Sequence, residues 1–253
     1  MPDKLPPTNP DQGSDAPDRR PTVVLLPGLL CDAAVWEPQR LALPHAHCIV
    51  PDYGLHNSLT AMARGVLGSV DAPLLNVVGH SMGGRVALEM ARLAPGRVAR
   101  IALLDTGYQP LATGTAGDTE RRDRLALLQL AREQGMRTMG QSWAKGMVLP
   151  AHLDAPVFQD ILAMIERKTP AIFEAQIQAL LDRPDASPVL RALRCPALLL
   201  CGRHDAWSPL ARHQEMQAML PQADLVVIEE AGHMTTMEQP GAVNAALQRW
   251  LES

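Results

Sequence analysis

Hydrophobic residues occur along the chain in short, nearly continuous runs, separated by stretches whose apolar residues recur at helical spacing. Six runs rich in Val, Leu and Ile predict β-strands at residues 22–27, 47–51, 74–79, 100–105, 196–202 and 224–229. Strands buried on both faces have continuous runs of this kind, whereas half-exposed strands alternate. Helical spacing predicts helices at residues 58–70, 83–94, 208–219 and 240–251. The alternation predicts an α/β fold with a doubly wound, mostly parallel sheet.

Residues 106–190 break this alternation. They contain helical patterns at 120–134, 137–145, 156–167 and 170–182, without a convincing strand. A structureless loop of this length is implausible in a compact domain. We therefore expect a helical cap inserted between the two parts of the core, residues 21–105 and 191–253.

The first 20 residues are rich in Pro and Asp and have no apolar run. Such a segment cannot bury enough apolar surface to fold, so residues 1–20 are predicted to be a disordered tail. The segment also lacks the apolar region of a secretory signal peptide. No later run reaches the roughly 18 apolar residues of a membrane helix. We therefore expect no association with a membrane.

Composition narrows the range of partners. The chain has 253 residues, of which 47% are hydrophobic, and its net charge is −4. Without a basic stripe, nucleic acid is not an expected partner. The four cysteines lack the spacing of zinc ligands or of a compact disulfide framework, which favours reduced thiols in a cytoplasm. Composition does not specify the oligomeric state.

The motif G-H-S-M-G at residues 79–83 is the first candidate for chemistry. By itself G-x-S-x-G is weak, since chance supplies it in roughly one such chain in ten to twenty. Here it directly follows a predicted strand and opens a predicted helix, which is the setting of a nucleophile elbow. The helix would point its N-terminus at Ser81, so that the amide of Met82 can stabilise an oxyanion. We predict that Ser81 is a nucleophile, against the alternative of an ordinary strand–helix turn.

A serine at neutral pH needs a base within hydrogen-bond reach. His233 follows the last predicted strand, at the carboxyl edge of the sheet where ligands bind in doubly wound folds. His233 is therefore the predicted base. His80 and His204 adjoin the candidate site. The histidines expected to be solvated are His45, His47, His56, His152 and His213.

The base needs a carboxylate that fixes its tautomer and stabilises the imidazolium. Asp205 follows the predicted strand 196–202. The chain order Ser81, Asp205, His233 is the order nucleophile, acid, base that occurs where the nucleophile lies on a turn between a strand and a helix. Asp105 ends the preceding strand in an equivalent position and is the competing acid. Its alternative role is to brace the start of the 106–190 insertion.

Further residues complete the expected site. The loop after the first strand places the backbone amide of Leu29, behind Gly28, as a second oxyanion donor. Trp143 and Met147 in the insertion are predicted to line a pocket that accepts short-to-medium esters. No set of residues has the spacing of metal ligands, so no metal is predicted. No nucleotide-binding motif follows a predicted strand.

Five segments carry a resemblance to a known family: LLPGLLCDAAVW, VVGHSMGGRVALEMA, RIALLDT, CPALLLCGRHDAWSP and EEAGHMTTMEQP. Together, and in this order, they resemble the α/β-hydrolase superfamily from residue 22 to residue 251, in particular small bacterial esterases and lactonases with a helical cap. The resemblance implies a serine esterase that needs no cofactor and cleaves small carboxylic esters or lactones through an acyl-enzyme. It also leaves open a triad-bearing ligand receptor with little turnover, a cofactor-free perhydrolase and a C–C bond hydrolase.

Overall fold

A computed structural model describes residues 20–253, so the predicted tail lies outside the described residues except for residue 20. Each of the six predicted runs forms a strand, with ends shifted by one or two residues. The strands are β1 Thr22–Leu26, β2 His47–Ile49, β3 Leu75–His80, β4 Val98–Leu104, β5 Ala197–Gly202 and β6 Asp224–Ile228. They form one sheet in the order β2-β1-β3-β4-β5-β6, and every neighbouring pair is parallel. The predicted α/β fold is confirmed.

Eleven α-helices accompany the sheet in the described part of the chain. They are α1 Glu37–Ala42, α2 Leu59–Ser69, α3 Met82–Leu93, α4 Thr115–Gln134, α5 Met136–Trp143, α6 Pro156–Glu166, α7 Pro170–Leu181, α8 Ser187–Ala192, α9 Leu210–Met219, α10 Thr235–Glu238 and α11 Pro240–Glu252. The patterns missed α1, α8 and α10, which have six residues or fewer and are too short to show a helical period. None of the helices in residues 20–253 is long and apolar enough to cross a membrane.

Burial follows the strand order. Every residue of β3 and β5 is buried, whereas β2 and β6 at the two edges are partly exposed. Helices therefore cover both faces of the central strands, which explains their continuous runs of Val and Leu. The carboxyl ends of β3, β5 and β6 lie along one edge of the sheet, so the residues that follow these strands come together there.

Helices α4 to α8 connect β4 to β5, and α4 to α7 lie where the pattern of residues 106–190 predicts helices. The longest of these helices, α4, is mostly polar, while α6 is strongly apolar. The interior of the connection contains Phe158, Ile161, Leu162, Met164 and Phe173, all of them buried. The connection is therefore a packed helical layer with an apolar core.

Candidate active site

Ser81 occupies a sharp turn between β3 and α3. Its backbone angles, φ 53° and ψ −116°, lie in a region that residues with side chains rarely adopt. The turn is held because the Ser81 amide donates to the carbonyl of Leu104 at 2.9 Å. The Thr106 hydroxyl donates to the Ser81 carbonyl at 2.6 Å. These bonds, to the last residue of β4 and from the loop that follows it, fix a conformation that the serine would not adopt by itself.

The glycines of the motif are required by close backbone approach. A Cβ on Gly79 would lie 2.3 Å from the carbonyl oxygen of Gly83. A Cβ on Gly83 would lie 2.1 Å from the carbonyl oxygen of Leu26. Both distances are far below van der Waals contact, and the opposing atoms are backbone. Strand β1, strand β3 and helix α3 can therefore meet this closely because both positions lack a side chain.

Hydrogen bonds join Ser81, His233 and Asp205 in one chain. His233 Nε2 lies 2.9 Å from Ser81 Oγ, and His233 Nδ1 lies 2.8 Å from Asp205 Oδ2. Because a carboxylate accepts, Nδ1 carries the hydrogen and Nε2 presents its lone pair to the serine hydroxyl. The second oxygen of Asp205 accepts from the amides of Trp207 and Ser208 at 2.8 and 2.9 Å. The imidazole is therefore held in the tautomer that can accept a proton from Ser81.

The loop that carries His233 is braced at several points. The His233 amide donates to the carbonyl of Met147 at 2.6 Å. His80 Nε2 donates to the His233 carbonyl at 2.8 Å. The buried carboxylate of Glu238 accepts from the two amides that flank His233, at 2.9 and 3.2 Å. These contacts fix the ring of His233 relative to β3 and to the 106–190 segment.

The charges of His233 and Asp205 suit His233 to accept a proton. Burial alone would lower the pKa of His233, but the charge of Asp205 and its hydrogen bond raise that pKa above 6.5. Burial opposes ionisation of Asp205, yet the charge of His233 and the bonds to Oδ1 and Oδ2 lower the pKa of that carboxyl. Asp205 is thus an anion at neutral pH, placed to stabilise an imidazolium.

Asp105, the competing acid, lies behind the site. Its carboxyl accepts from the amide of Gly202 at 2.9 Å and from the hydroxyl of Thr235. The nearest imidazole nitrogen in an ion-pair contact is His80 Nε2, at 3.8 Å. Burial, followed by the negative charge of Asp205, raises the pKa of Asp105 well above its usual range. Asp105 therefore braces β4, β5 and α10, while Asp205 is the carboxylate that contacts His233.

The expectation that His213 is solvated is wrong. His213 is fully buried on the inner face of α9. The prediction failed because the helical pattern of a mixed helix does not show which of its faces turns inward. Its Nδ1 donates to the carbonyl of Pro209 and its Nε2 accepts from the amide of Thr106, both at 3.3 Å. Burial lowers the pKa of His213 to about 4, so the ring is neutral. Among the others, the structure leaves His45, His47 and His56 exposed and His152 half-buried.

A cavity of about 610 Å³ opens beside Ser81. Besides Ser81 and His233, four residues predicted from sequence line it: Leu29, Met82, Trp143 and Met147. The ring of Trp143 lies 5.3 Å from that of Trp207 and 6.1 Å from that of Phe173, measured between centroids. The cavity wall therefore combines the strand ends with side chains of the 106–190 segment.

Sequence reasoning missed a charged part of this wall. Four arginines line the cavity: Arg85, Arg124, Arg183 and Arg212. A signal existed for Arg85, which follows Ser81 by one helical turn and so shares its side of α3. The other three come from α4, from the end of α7 and from α9, and tertiary packing alone brings these elements together.

Comparison with known proteins adds the wider context. A family model described as "Alpha/beta hydrolase family" matches residues 23–246. A thermophilic esterase from Thermogutta terrifontis, solved with malate bound, is 30% identical with a TM-score of 0.81, covering 92% of this chain and 89% of its own. The (E)-2-((N-methylformamido)methylene)succinate hydrolase of Acinetobacter baylyi is 26% identical in an alignment of 257 residues, which covers 96% of this chain and 93% of that protein. The enol-lactonase of Burkholderia xenovorans LB400 is 21% identical with a TM-score of 0.82, covering 93% and 92%, and supports the fold alone.

Proposed function

Because the chain belongs to the alpha/beta hydrolase family, we propose that it is a serine hydrolase of small carboxylic esters or lactones. The observation that carries this proposal is the continuous hydrogen-bond chain from Asp205 through His233 to Ser81. The chain of bonds ends at a hydroxyl that borders a cavity large enough for a small ester. A nucleophile, a base and an orienting acid in this order are what acyl transfer requires.

The proposed reaction begins with attack of Ser81 Oγ on the carbonyl carbon of the ester. As the Oγ–C bond forms, His233 Nε2 takes the hydroxyl proton, and the imidazolium is stabilised by Asp205. The tetrahedral intermediate collapses, the C–O bond to the alcohol breaks, and the alcohol leaves with the proton from His233. Water then repeats these steps on the acyl-enzyme and releases the acid and Ser81.

We assign the oxyanion hole to the backbone amides of Met82 and Leu29. Met82 is the first residue of α3, whose N-terminus faces the reacting carbonyl in this scheme. The loop with Leu29 passes close to the nucleophile, since a Cβ on Gly28 would lie 3.2 Å from Ser81 Cβ. Both residues line the cavity. Glycine at position 28 therefore allows the second donor to approach the carbonyl oxygen.

We further propose that residues 106–190 act as a cap that limits the size of the substrate. Trp143 and Met147 line the cavity from this segment, and the carbonyl of Met147 accepts directly from the His233 amide. The same contact would keep the cap in register with the base. A cap of this kind favours short-to-medium aliphatic groups over long lipid chains.

The cysteines bear on the compartment. Burial raises the pKa of Cys31 and of Cys201 to about 12, so both are protonated thiols at neutral pH. All four cysteines of the chain are free. Unpaired, unreactive thiols fit a reducing cytoplasm, where we propose that the enzyme acts.

Turnover of simple substrates tests this function. A panel of 4-nitrophenyl esters of rising chain length, together with lactones, should show many cycles per protein molecule and a preference for acyl chains of roughly two to eight carbons. Ser81→Ala should remove the activity. Release of about one equivalent of nitrophenol followed by arrest would indicate a ligand receptor. Absence of turnover on every ester and lactone would favour the perhydrolase or C–C bond hydrolase alternative.

A further inference from the structure

The cavity beside Ser81 carries an excess of positive charge. Among the described residues, four arginines line the cavity, whereas only two carboxylates line it. The lining charges are Arg85 on α3, Arg124 on α4, Arg183 after α7, Arg212 on α9, and Glu120 and Asp123 on α4. An excess of buried or half-buried cations at the end of a substrate cavity is a candidate anion site.

Two of the arginines already share one carboxylate, that of Glu120. Glu120 accepts from both terminal nitrogens of Arg183, at 2.7 and 2.8 Å, and from Nε of Arg124 at 2.9 Å. Although burial would raise the pKa of Glu120, these bonds and charges lower it to about 2. The other carboxylate, Asp123, is exposed and lies 3.3 Å from Arg122. Glu120 is therefore saturated by Arg124 and Arg183.

Arg85 and Arg212 have no such partner. Within residues 20–253 neither has a carboxylate oxygen within 4.0 Å. Each is held by a neutral acceptor instead: Arg85 donates to the carbonyl of Gln109 at 2.8 Å, and Arg212 donates to the carbonyl of Trp207 at 2.9 Å. A carbonyl orients a guanidinium but does not neutralise its charge.

The same two arginines converge on one glycine. A Cβ on Gly107 would lie 2.9 Å from Cδ of Arg212 and 3.0 Å from Nη2 of Arg85. The two side chains therefore lie next to each other over a backbone segment with no side chain of its own. Burial, and then the positive charges of Arg183 and Arg212, lower the pKa of Arg85 to about 9. An anion bound between two adjacent cations is attracted by both charges and offsets the repulsion between them.

The position of these arginines relates them to the reacting serine. Arg85 follows Ser81 by four residues on α3, which corresponds to about 6 Å along the helix axis. Both residues line one cavity, and Arg212 lines it too. Planar carboxylates match the fork of a guanidinium in bidentate geometry. We propose that Arg85 and Arg212 form a carboxylate-binding subsite, and that the substrate is an ester or lactone that also bears a carboxylate.

This inference rests on the proposed function, and matched pairs of substrates test it. Monoethyl adipate carries the carboxylate on the acyl side, and ethyl 6-oxoheptanoate replaces that carboxylate by a methyl ketone of similar shape. The pair 4-acetoxybutanoate and 5-acetoxypentan-2-one makes the same comparison on the alcohol side. In at least one pair, kcat/KM of the native protein should be higher for the anion by roughly 10-fold or more.

Three variants identify the residues responsible. Arg85→Gln and Arg212→Gln should each lower kcat/KM for the preferred anionic ester by roughly 10- to 100-fold, and change that of its neutral partner by less than about 3-fold. The matched control is Arg249→Gln, an exposed arginine on α11 outside the cavity, which should leave both values unchanged. Using two separate arginines keeps the test valid if one variant fails to fold.

The outcomes separate the two proposals. Equal rates within both native pairs, or equal losses on both members of a pair in the variants, would overturn the subsite while leaving the ester hydrolase intact. If no ester is turned over, the proposed hydrolase fails, and titration calorimetry with adipate tests the subsite alone. Binding that weakens at least roughly 10-fold in Arg85→Gln but persists in Arg249→Gln would then support the subsite. No binding, or binding unchanged in Arg85→Gln, would overturn it.

Discussion

The two sides of the cavity are built in different ways. On the sheet side, Ser81, His233 and Asp205 are positioned by backbone contacts with no free space, such as the meeting of Gly83 with the carbonyl of Leu26. On the other side, long side chains from separate helices form the wall, among them Trp143 and Arg183. The first side can change very little without losing the geometry that the proposed reaction needs, whereas on the second side single residues can be exchanged without moving the backbone. In the proposed function, the sheet edge therefore sets the type of reaction and the helical wall sets the choice of substrate.

The largest expected effect is on the sheet side, at the acid. Asp205→Asn keeps the shape but removes the charge that fixes the tautomer of His233, so kcat should fall by about 10⁴-fold. Asp105→Asn is the matched control, because that carboxyl is buried with a strongly raised pKa and asparagine can still accept from the Gly202 amide. Steady-state kinetics on one activated ester measures both. A larger loss in Asp105→Asn would transfer the role of the acid to Asp105.

The pH profile sharpens the same assignment. His233 must be neutral to accept the serine proton, so kcat/KM should rise as pH increases through the pKa of His233. Since Asp205 raises that pKa, the midpoint should lie above pH 6.5 in the native protein. Asp205→Asn removes a negative charge beside the ring and should move the midpoint to lower pH. A midpoint that moves upward would contradict the pairing.

The next effect is on stability, and it depends on the close backbone contact at Gly83 on the sheet side. Gly83→Ala would place a Cβ 2.1 Å from a backbone oxygen, which cannot move away as a flexible side chain would. We expect the free energy of unfolding in urea to fall by about 3 kcal/mol or more. The control Gly96→Ala has no atom within 4 Å of the new Cβ and should change stability by about 0.5 kcal/mol or less. Similar losses in both variants would show that close approach is not the cause.

A smaller effect, in selectivity, is expected on the helical side. Trp143→Ala should enlarge the cavity and raise the ratio of kcat/KM for octanoyl over butanoyl esters by roughly 10-fold. Trp250→Ala, which removes a buried tryptophan of α11 outside the cavity lining, should lower stability and leave the ratio unchanged. If both variants lose stability and neither changes the ratio, Trp143 is a packing residue and the helical side does not select chain length.

The sequence predicts the sheet side well for a physical reason. Each residue there follows a run of Val, Leu and Ile that forms a strand of the sheet, and parallel strands bring their carboxyl ends to one edge. The two glycines of the G-x-S-x-G pattern also indicate where the backbone leaves no room for a side chain. Position along the chain therefore nearly determines position in space for Ser81, Asp205 and His233.

The helical side follows no such rule. Arg183 and Arg212 are 29 positions apart in the sequence and lie on different elements, and only packing places both at the cavity. The same limit applies to His213, whose burial depends on which face α9 turns to the sheet. The role of Asp105 was likewise open in sequence, because β4 and β5 end at the same edge. Hydrogen bonds, rather than strand position, distinguish it from Asp205.

The central claim is that the contacts of the sheet edge make Ser81 a nucleophile, and covalent labelling tests it most directly. A fluorophosphonate should react with the native protein at one equivalent, and peptide mass mapping should find the adduct on Ser81. The serine neighbours the cavity while other serines, such as Ser58 at the start of α2, serve as helix caps and should stay unmodified. Labelling should be abolished in Ser81→Ala and strongly slowed in His233→Ala. An adduct on another residue, or a rate independent of His233, would contradict it.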